Sequence, residues 1–341
     1  MTIYDLDLMS HVSEMPRGCV VALGFFDGVH LGHRMIIDTA RREADLRGGE
    51  VAVWTISHES AAFKTGKLAL TDEGERLALL RTAGAHFAAV SEFSDIRGMS
   101  GEEFVSRILK EELGASAVVC GYNYRFGKGA SCGVDELRAF CDAVGISTRV
   151  ADAVTDDTEC PVSSTRIRSL ISDGDVEAGG ILLGRPYGFT AKVIRGKRLG
   201  RRLGFPTANQ LVPEGRLTPR VGVYAVSAEF FDDGRRLVLP GAANIGYCPT
   251  LTDEMLREAG VDTSVIGRDG AAGDGYAVCE TYIVGYDGDL YGKPVTVNFL
   301  KRLRGETAFA GIEELKDQIR RDAEEAEKIH SGIYGQKNLK R

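Results

Sequence analysis

The sequence lacks the features of a membrane or secreted protein. No apolar run in its 341 residues reaches the ~18 that a membrane-spanning helix needs. The N-terminal residues 1–15 carry acids where a signal peptide needs a basic start and an apolar stretch. The 7 cysteines are odd in number, scattered and never spaced C-x-x-C, which argues against a disulfide framework and a zinc site. We therefore expect a cytoplasmic protein with no membrane partner.

Charge is unevenly distributed along the chain. Residues 1–183 hold 18 Lys and Arg against 28 Asp and Glu, whereas residues 184–341 hold 24 against 21. At roughly 150 residues per domain the length favours two domains, and the change in charge predicts domains at 1–183 and 184–341. The 42 glycines in 341 residues are well above the usual share of ~7%, which indicates many tight turns and close approaches of backbone to ligand.

The first half alternates short apolar runs with amphipathic stretches. Strands alternating with helices indicate a parallel α/β sheet, in which ligands bind beyond the carboxyl ends of the strands. Asp72 or Thr71 is expected to cap the second helix, and Ser100 with Glu103 forms a predicted capping box on the third. The predicted strands are 19–23, 51–56, 86–90, 116–120 and 147–150, and the predicted helices are 31–46, 72–83, 100–113 and 134–144.

The second half has β patterns separated by Gly, Pro and Asp turns. Hairpins are predicted at DDG (232–234) and YDGDLYG (286–292), which together indicate an antiparallel β domain, most simply a small barrel. An amphipathic stretch predicts a terminal helix at 312–330, and the Gly- and Asp-rich stretch 251–276 predicts a long flexible loop. The predicted strands are 187–194, 223–231, 236–245, 277–286 and 294–303, and 174–186 joins the two halves.

Residues 24–33, GFFDGVHLGH, connect the first predicted strand to the first helix. Gly24 and Gly28 allow a sharp turn and close approach to a ligand, and the start of the helix offers free N–H groups to an anion. His30 and His33 lie three residues apart, on one side of the first helical turn. Both imidazoles can donate to phosphate oxygens and stabilise charge during phosphoryl transfer. Asp27 could orient a histidine or a metal.

Residues 162–168, VSSTRIR, carry hydroxyl groups next to two arginines. Ser163, Ser164 and Thr165 can cap a helix, and Arg166 and Arg168 are cationic forks that suit phosphate. On its own, this segment is more typical of a capped surface helix.

Residues 196–209, GKRLGRRLGFPTAN, combine glycines spaced by four with basic side chains. Such a loop can wrap a polyphosphate with N–H groups and cations. Thr207 and Asn209 are oxygen donors suited to Mg²⁺ shared with phosphates. An ordinary hairpin with solvated basic residues is an alternative; a nucleic-acid patch is another, although the acidic total charge argues against it. The loop residues concerned are Gly196, Gly200, Gly204, Arg195, Lys197, Arg198, Arg201 and Arg202.

These motifs together resemble one family. GFFDGVHLGH resembles the FMN adenylyltransferase module of prokaryotic bifunctional riboflavin kinase/FMN adenylyltransferases, the bacterial FAD synthetases. Its H-L-G-H is similar to the (H/T)-x-G-H signature of nucleotidylyltransferases. S-S-T-R-I-R resembles the segment that closes the nucleotide site there, and G-x-x-x-G-x-x-x-G-F-P-T-A-N resembles the riboflavin kinase signature. GYNYRFG (121–127) resembles the family's flavin loop, and the resemblance extends over residues 18–330.

The resemblance implies a Rossmann-like nucleotidylyltransferase domain followed by a riboflavin kinase-like barrel with a terminal helix. The implied activities convert riboflavin to FMN and then FMN to FAD, each with ATP and Mg²⁺. Glu280 falls at the position of a general base for the riboflavin 5′-hydroxyl, and His30 and His33 at catalytic positions of the second reaction. The implied ATP and phosphate contacts are Gly24, Phe26, Asp27, Gly28, Ser163, Ser164, Thr165, Arg166, Arg168, Gly196, Lys197, Gly200, Gly204 and Phe205. The implied flavin contacts are His58, Asn123, Tyr124, Phe126 and Arg304, and the implied metal ligands are Thr207 and Asn209.

The sequence departs from the family pattern in the first half. Ser57 and Glu59 stand where prolines are usual, and Asn123 stands where an acid is usual. A kinase with a weakened adenylyltransferase is therefore one alternative. A transferase for another phosphorylated substrate and a flavin-binding regulatory module without catalysis are two others. Riboflavin, FMN, FAD and ATP are the expected partners, nucleic acid is not, and the sequence does not indicate the oligomeric state.

Overall fold

The computed structural model describes residues 1–6, 16–57, 68–195, 200, 203–248 and 276–335. The chain divides into two compact units, Met1–Ser164 and Thr165–Arg341. The domain boundary at 183/184 that the charge distribution suggests stays a prediction. Among the predicted site residues, His58, Gly196 and Lys197 lie outside the described residues, as does nearly all of the predicted loop at 251–276. Within the described ranges, no helix is both long enough and apolar enough to cross a membrane.

The first unit is built on a six-stranded parallel sheet, as predicted, in the order β1-β4-β3-β2-β5-β6. The edge strand β1 was not predicted, because its five residues form no apolar run. The strand order reverses at β2, because β3 and β4 lie on one side of it and β5 and β6 on the other. Such a reversal opens a crevice for ligands beyond the strand ends. The strands are β1 (Thr2–Leu6), β2 (Val20–Leu23), β3 (Val51–Ile56), β4 (Phe87–Ser91), β5 (Ala117–Gly121) and β6 (Ser147–Ala151).

The helices of the first unit cover both faces of this sheet. Alternate residues of β2 and β3 enter two separate apolar clusters, so both strands are buried on both faces. Asp72 caps α2 by accepting from Glu75 N–H at 2.7 Å, and the Ser100–Glu103 capping box is present, as predicted. The helices are α1 (Leu31–Arg47), α2 (Glu73–Ala83), α3 (Phe93–Ile96), α4 (Gly101–Glu103, continued in π geometry over Phe104–Glu112) and α5 (Val134–Ala143).

The second unit contains an antiparallel six-stranded sheet, ordered β7-β12-β9-β10-β11-β8. The sheet curls until its edge strands meet where Ile194 N–H donates to Asn209 O at 2.8 Å, so the predicted barrel is confirmed. The terminal helix packs Ala326 against Ala225 and Ala242 of the sheet. The elements are α6 (Ser164–Asp173), α7 (Val176–Leu183), β7 (Tyr187–Lys192), β8 (Thr207–Leu211), β9 (Gly222–Asp232), β10 (Arg235–Cys248), β11 (Tyr276–Ile283), β12 (Pro294–Arg304) and α8 (Ile312–Tyr334).

One predicted hairpin is confirmed and the other is wrong. Asp233 (φ 45°) and Gly234 (φ 74°) form a two-residue turn between β9 and β10, the geometry of a type I′ hairpin. YDGDLYG instead joins β11 to β12, which do not pair: β11 lies between β10 and β8, and β12 between β9 and β7. Turn residues fix where the chain bends, but the choice of partner strand depends on the whole sheet. The strand β8 and the helix α7 were not predicted.

Candidate active sites

The loop between β2 and α1 has an unusual backbone conformation. Phe26 (φ 58°), Gly28 (φ 82°) and Val29 (φ 40°) all lie in the left-handed region. This region suits glycine, but it costs a larger residue about 1–3 kcal/mol and persists only where the surroundings impose it. Phe26 and Val29 are fully buried, and a Cβ at Gly24 would lie 3.0 Å from the Phe26 ring. The predicted phosphate loop is therefore a packed turn held by the rest of the unit.

Asp27 attaches this loop to the start of α2. Its carboxylate is 2% exposed and accepts from Leu70 N–H at 2.9 Å and from Thr71 N–H at 3.2 Å. The Thr71 hydroxyl in turn accepts from Gly28 N–H at 3.1 Å. These contacts give Asp27 a role in shaping the loop, and its predicted contact with ATP stays a prediction.

His30 and His33 lie together at the N-terminus of α1. His30 is the N-cap residue, and its Nδ1 accepts from His33 N–H at 3.3 Å. An accepting Nδ1 leaves the proton of the neutral ring on Nε2, which is then a donor. The two rings stack with centroids 3.6 Å apart, and the edge of Phe26 contacts His33 at 5.2 Å. The predicted pairing of the imidazoles at the N-terminus of the helix is therefore present.

The first residues of the segment SSTRIR contact the β2–α1 loop. Ser164 Oγ donates to Asp27 O at 3.0 Å, and a Cβ at Gly32 would lie 3.5 Å from Val162 O. Ser163 precedes this contact, and Thr165, Arg166 and Arg168 follow on α6 in the second unit. The phosphate contacts predicted for Ser163, Ser164, Thr165, Arg166 and Arg168 stay predictions.

The aromatic loop after β5 is folded back on itself. Phe126 and Cys132 exchange two backbone hydrogen bonds of 3.1 Å. Phe126 is 7% exposed and packs on Phe104, with Tyr124 stacked on it at 5.8 Å. Tyr124 is half-buried, burial raises the pKa of its hydroxyl, and Asn123 is exposed. Of the three predicted flavin contacts in this loop, Asn123 is exposed and Tyr124 half-buried, while Phe126 supports them from the core.

In the second unit, a cavity of about 540 Å³ lies between the sheet and α8. Glu280 borders it from β11, where the register places this residue opposite Asn209 of β8 on one side and Asn244 of β10 on the other. Glu280 is exposed, which gives its carboxylate access to a ligand. The further lining residues used below are Thr207, Tyr282, Arg304 and Asp322.

A second cavity of about 440 Å³ lies beside the first, and Thr207 borders both. It is lined by Thr207 and Asn209 of β8 and by the 286–291 segment. Asn209 Nδ2 donates to Thr207 O at 3.1 Å and lies 3.4 Å from Thr207 Oγ1, so the two side chains are adjacent. Within the described residues, no cluster of three or more His, Cys, Asp or Glu is placed to hold a metal. An ion at Thr207 and Asn209 would therefore take its remaining oxygens from phosphates and water.

The residues next to Thr207 shape the join between the cavities. A Cβ at Gly200 would collide with the Phe205 carbonyl and lie 3.4 Å from Thr207 Oγ1, and Gly204 has φ 90°. The Phe205 ring packs edge-on against Tyr282 at 5.3 Å. Both glycines are therefore required by close packing or backbone conformation. The predicted ATP contacts of Gly200, Gly204 and Phe205 stay predictions.

Arg304 is fixed on the wall of the larger cavity. Its Nε and Nη2 donate to Asp322 Oδ2 at 3.0 and 2.8 Å, and its guanidinium lies 5.6 Å from the Phe309 ring centroid. Asp322, on α8, is 6% exposed. The sequence predicted Arg304 as a flavin contact but did not single out Asp322. Asp322 is one of several acidic residues on α8, and nothing in the sequence shows that it is buried against an arginine.

Comparisons with known proteins assign a family to each unit. A family model described as FAD synthetase matches residues 12–166, and one described as riboflavin kinase matches residues 183–330. A bifunctional riboflavin kinase/FMN adenylyltransferase from Bacillus subtilis is 30% identical over 94% of this chain and 96% of its own length. The protein of that name from Pseudomonas fluorescens is 34% identical over 90% and 91%.

A crystal structure of similar fold is also known. It is a protein from Streptococcus pneumoniae described as a macrolide-efflux protein, with a TM-score of 0.78, 27% identity, and coverage of 96% of this chain and 99% of that one. The two family models and the full-length relatives agree with the order of the two sites along the chain. The chain belongs to the bifunctional riboflavin kinase/FMN adenylyltransferase family.

Proposed function

We propose that the chain makes FAD from riboflavin in two ATP-dependent steps. The second unit transfers the γ-phosphoryl group of ATP to the riboflavin 5′-hydroxyl, giving FMN and ADP. The first unit transfers AMP from ATP to the FMN phosphate, giving FAD and pyrophosphate. The observation that carries the proposal is the placement of Glu280 directly across the β8–β11 pair from Asn209, beside Thr207, where two cavities meet.

The two cavities suit the two substrates of the kinase step. A general base must lie within hydrogen-bond reach of the hydroxyl that it activates, so riboflavin would occupy the larger cavity, which Glu280 borders. ATP would place its phosphates in the smaller cavity, at Thr207 and Asn209. The start of the basic loop also lies on that side, because Arg195 stacks on Tyr291, which lines the smaller cavity. Thr207, on the border of both, marks the point of transfer.

The chemistry of the donor set fits Mg²⁺. The Thr207 hydroxyl and the Asn209 amide carbonyl are hard oxygen ligands, and both are neutral. Mg²⁺ is usually held by few protein groups together with substrate phosphates, so the ion would arrive with ATP. Bound there, it would neutralise charge on the transferring phosphoryl group. The residues of the chain would hold the ion and orient riboflavin. Glu280 would accept the proton of the riboflavin 5′-hydroxyl.

The adenylyl transfer needs little covalent work from the protein. An oxygen of the FMN phosphate attacks the α-phosphorus of ATP, and the bond to pyrophosphate breaks. The Nε2 donor of His30, the adjacent His33 and the positive end of the α1 dipole would stabilise the negative charge on the phosphates. The exposed Asn123 and the half-buried Tyr124 would contact the flavin. We also propose that the protein is cytoplasmic and has no membrane or nucleic-acid partner.

A single incubation tests both steps. The full chain is mixed with riboflavin, ATP and Mg²⁺, and the flavins are separated by chromatography over time. FMN that appears first and FAD that follows are the expected products, and chelation of the metal should stop both. FMN without FAD would overturn the adenylyl-transfer step and leave a riboflavin kinase. Neither product, with riboflavin still bound, would favour a flavin-binding module instead.

A further inference from the structure

Arg76 is a charged side chain in the interior of the first unit. It lies on α2, is 1% exposed, and is not one of the residues that the sequence motifs indicate. Burial of a guanidinium costs several kcal/mol unless hydrogen bonds and charge replace the lost water. Its carboxylate partner Glu73 lies 3.4 Å away and is 41% exposed, which makes the ion pair a weak compensation. Stability alone would favour an apolar residue here, on the same helix face as Leu77 and Leu80.

The guanidinium joins the carboxyl ends of two adjacent strands. Nη1 donates to Phe25 O at 3.1 Å, just beyond β2, and Nη2 donates to Ile56 O at 2.9 Å, the last residue of β3. The cation also lies over the Phe25 ring, 4.8 Å from its centroid. Carbonyls at and beyond a strand end lose their partners in the sheet, and the planar fork of arginine can bind two of them at once. A lysine ammonium in the same place could hold only one with good geometry.

The carbonyl of Phe25 lies near the start of the predicted phosphate loop between β2 and α1. It accepts a second hydrogen bond from Thr55 Oγ1 at 3.1 Å. The next residue, Phe26, is the first of the two non-glycine residues of this loop that lie in the left-handed region. A backbone strained in this way keeps its shape only while its ends are fixed. His30 and His33 lie a few residues further along, so a shift at Phe25 would move both imidazoles.

We propose that Arg76 is a positioning residue of the adenylyl-transfer step, acting through Phe25 O and Ile56 O to hold the β2–α1 loop and its histidines in place. The role rests on the function proposed above. Arg76 itself touches no substrate in this scheme. Loss of its hydrogen bonds should therefore lower the rate of transfer more than the binding of substrates.

The experiment compares Arg76→Met and Arg76→Lys with the wild-type full chain. FAD formation is measured from supplied FMN and ATP, and FMN formation from riboflavin in the second unit is the internal control. Arg76→Met should lower kcat for FAD formation by about 10- to 100-fold, the effect of misplacing groups by ~1 Å. KM values for FMN and ATP should change by less than about threefold, with kinase kcat unchanged. Arg76→Lys should recover part of the lost kcat.

A matched control separates positioning from folding. Arg138→Met removes an arginine from α5, where it is 50% exposed and paired with Asp135; it should leave both activities unchanged. Fluorescence of Trp54, the only tryptophan and buried in the same unit, reports folding at the assay temperature. If Arg76→Met is unfolded there, Arg76→Lys decides, and its expected result is a folded unit with reduced kcat.

Three results would overturn the inference. These are full FAD formation by the folded variants, a raised KM with unchanged kcat, or a loss of activity that only follows the unfolded fraction. A wild-type chain that makes no FAD would instead refute the proposed function itself.

Discussion

In the first unit the groups expected to act on phosphate lie on a turn beyond the ends of parallel strands, whereas in the second unit they project from the strands. The turn at 24–30 has strained backbone, and buried side chains fix it from α2 and β3. Glu280, Thr207 and Asn209 instead take their places from the register of β8 and β11.

This difference predicts different responses to mutation. Activity at a site on a loop that buried side chains fix in place should be sensitive to mutation of those side chains, although they touch no substrate. A site built on strand faces should be sensitive mainly to the residues that face the ligand, because a ladder of backbone hydrogen bonds holds their positions independently of any one side chain.

The largest effect is expected at Glu280. Glu280→Gln keeps the size of the side chain but removes the carboxylate that would accept the proton of riboflavin, so FMN formation should fall by about 10²- to 10⁴-fold. FAD formation from supplied FMN should not change, which initial rates with each substrate would show. Glu229→Gln, on β9 of the same sheet and paired with Arg236, is the matched control. Undiminished FMN formation by the Glu280 variant would exclude Glu280 as the general base.

The next largest effect is expected at the histidine pair, with the reverse selectivity. His33→Ala should lower FAD formation by about 10²- to 10³-fold, the usual cost of losing a donor to developing charge. His30→Ala should in addition destabilise the unit by about 1 kcal/mol, since His30 caps α1. His30→Asn, which keeps a capping acceptor, should recover stability but not activity. Recovery of both would mean that His30 is a cap and no more.

The sequence predicted the type of each unit because periodicity and motif order act locally. Four of the five predicted strands of the parallel sheet are apolar runs, and the hairpin at 232–234 follows from its Asp-Gly turn, whose two residues have positive φ. β1 and β8 were missed because an edge strand and a strand of Thr, Ala, Asn and Gln have no apolar run. Their places depend on partners distant in the sequence.

The candidate sites divide in the same way. Residues with reactive groups, such as His30, His33 and Glu280, could be identified from the sequence. Residues that hold them could not, because Arg76 and Asp322 look like ordinary charges on amphipathic helices. Only the fold shows that each is buried against a backbone or a guanidinium.

A moderate effect is expected at Asp27, which tests the dependence of the first unit on its loop anchors. Asp27→Asn replaces a charged acceptor of two backbone N–H groups by a neutral amide, and the loss of such buried hydrogen bonds costs about 1–3 kcal/mol. FAD formation should fall by about tenfold as the loop loosens, with FMN formation unchanged. Trp54 fluorescence during denaturation measures the stability. An unchanged midpoint with lost activity would instead make Asp27 a direct ligand of ATP.

The smallest effect is expected from the pH dependence of stability in the second unit. His330, on α8, is 8% exposed and stacks on Tyr334, and burial lowers its pKa from the ordinary 6.5. The unfolded chain then binds a proton at a higher pH than the folded one, so stability is present above pH 6.5 and is lost as pH falls below it. In the first unit, hydrogen bonds from Arg47 lower the pKa of Glu43 from 4.5, so its contribution is lost only below about that pH.

Acidification from pH 7.5 to 5.5 should therefore lower the unfolding midpoint of the second unit. Calorimetry follows both units, and His330→Phe should abolish the shift because the phenyl ring stacks on Tyr334 but binds no proton. A shift that persists in this variant would assign the pH dependence to another group.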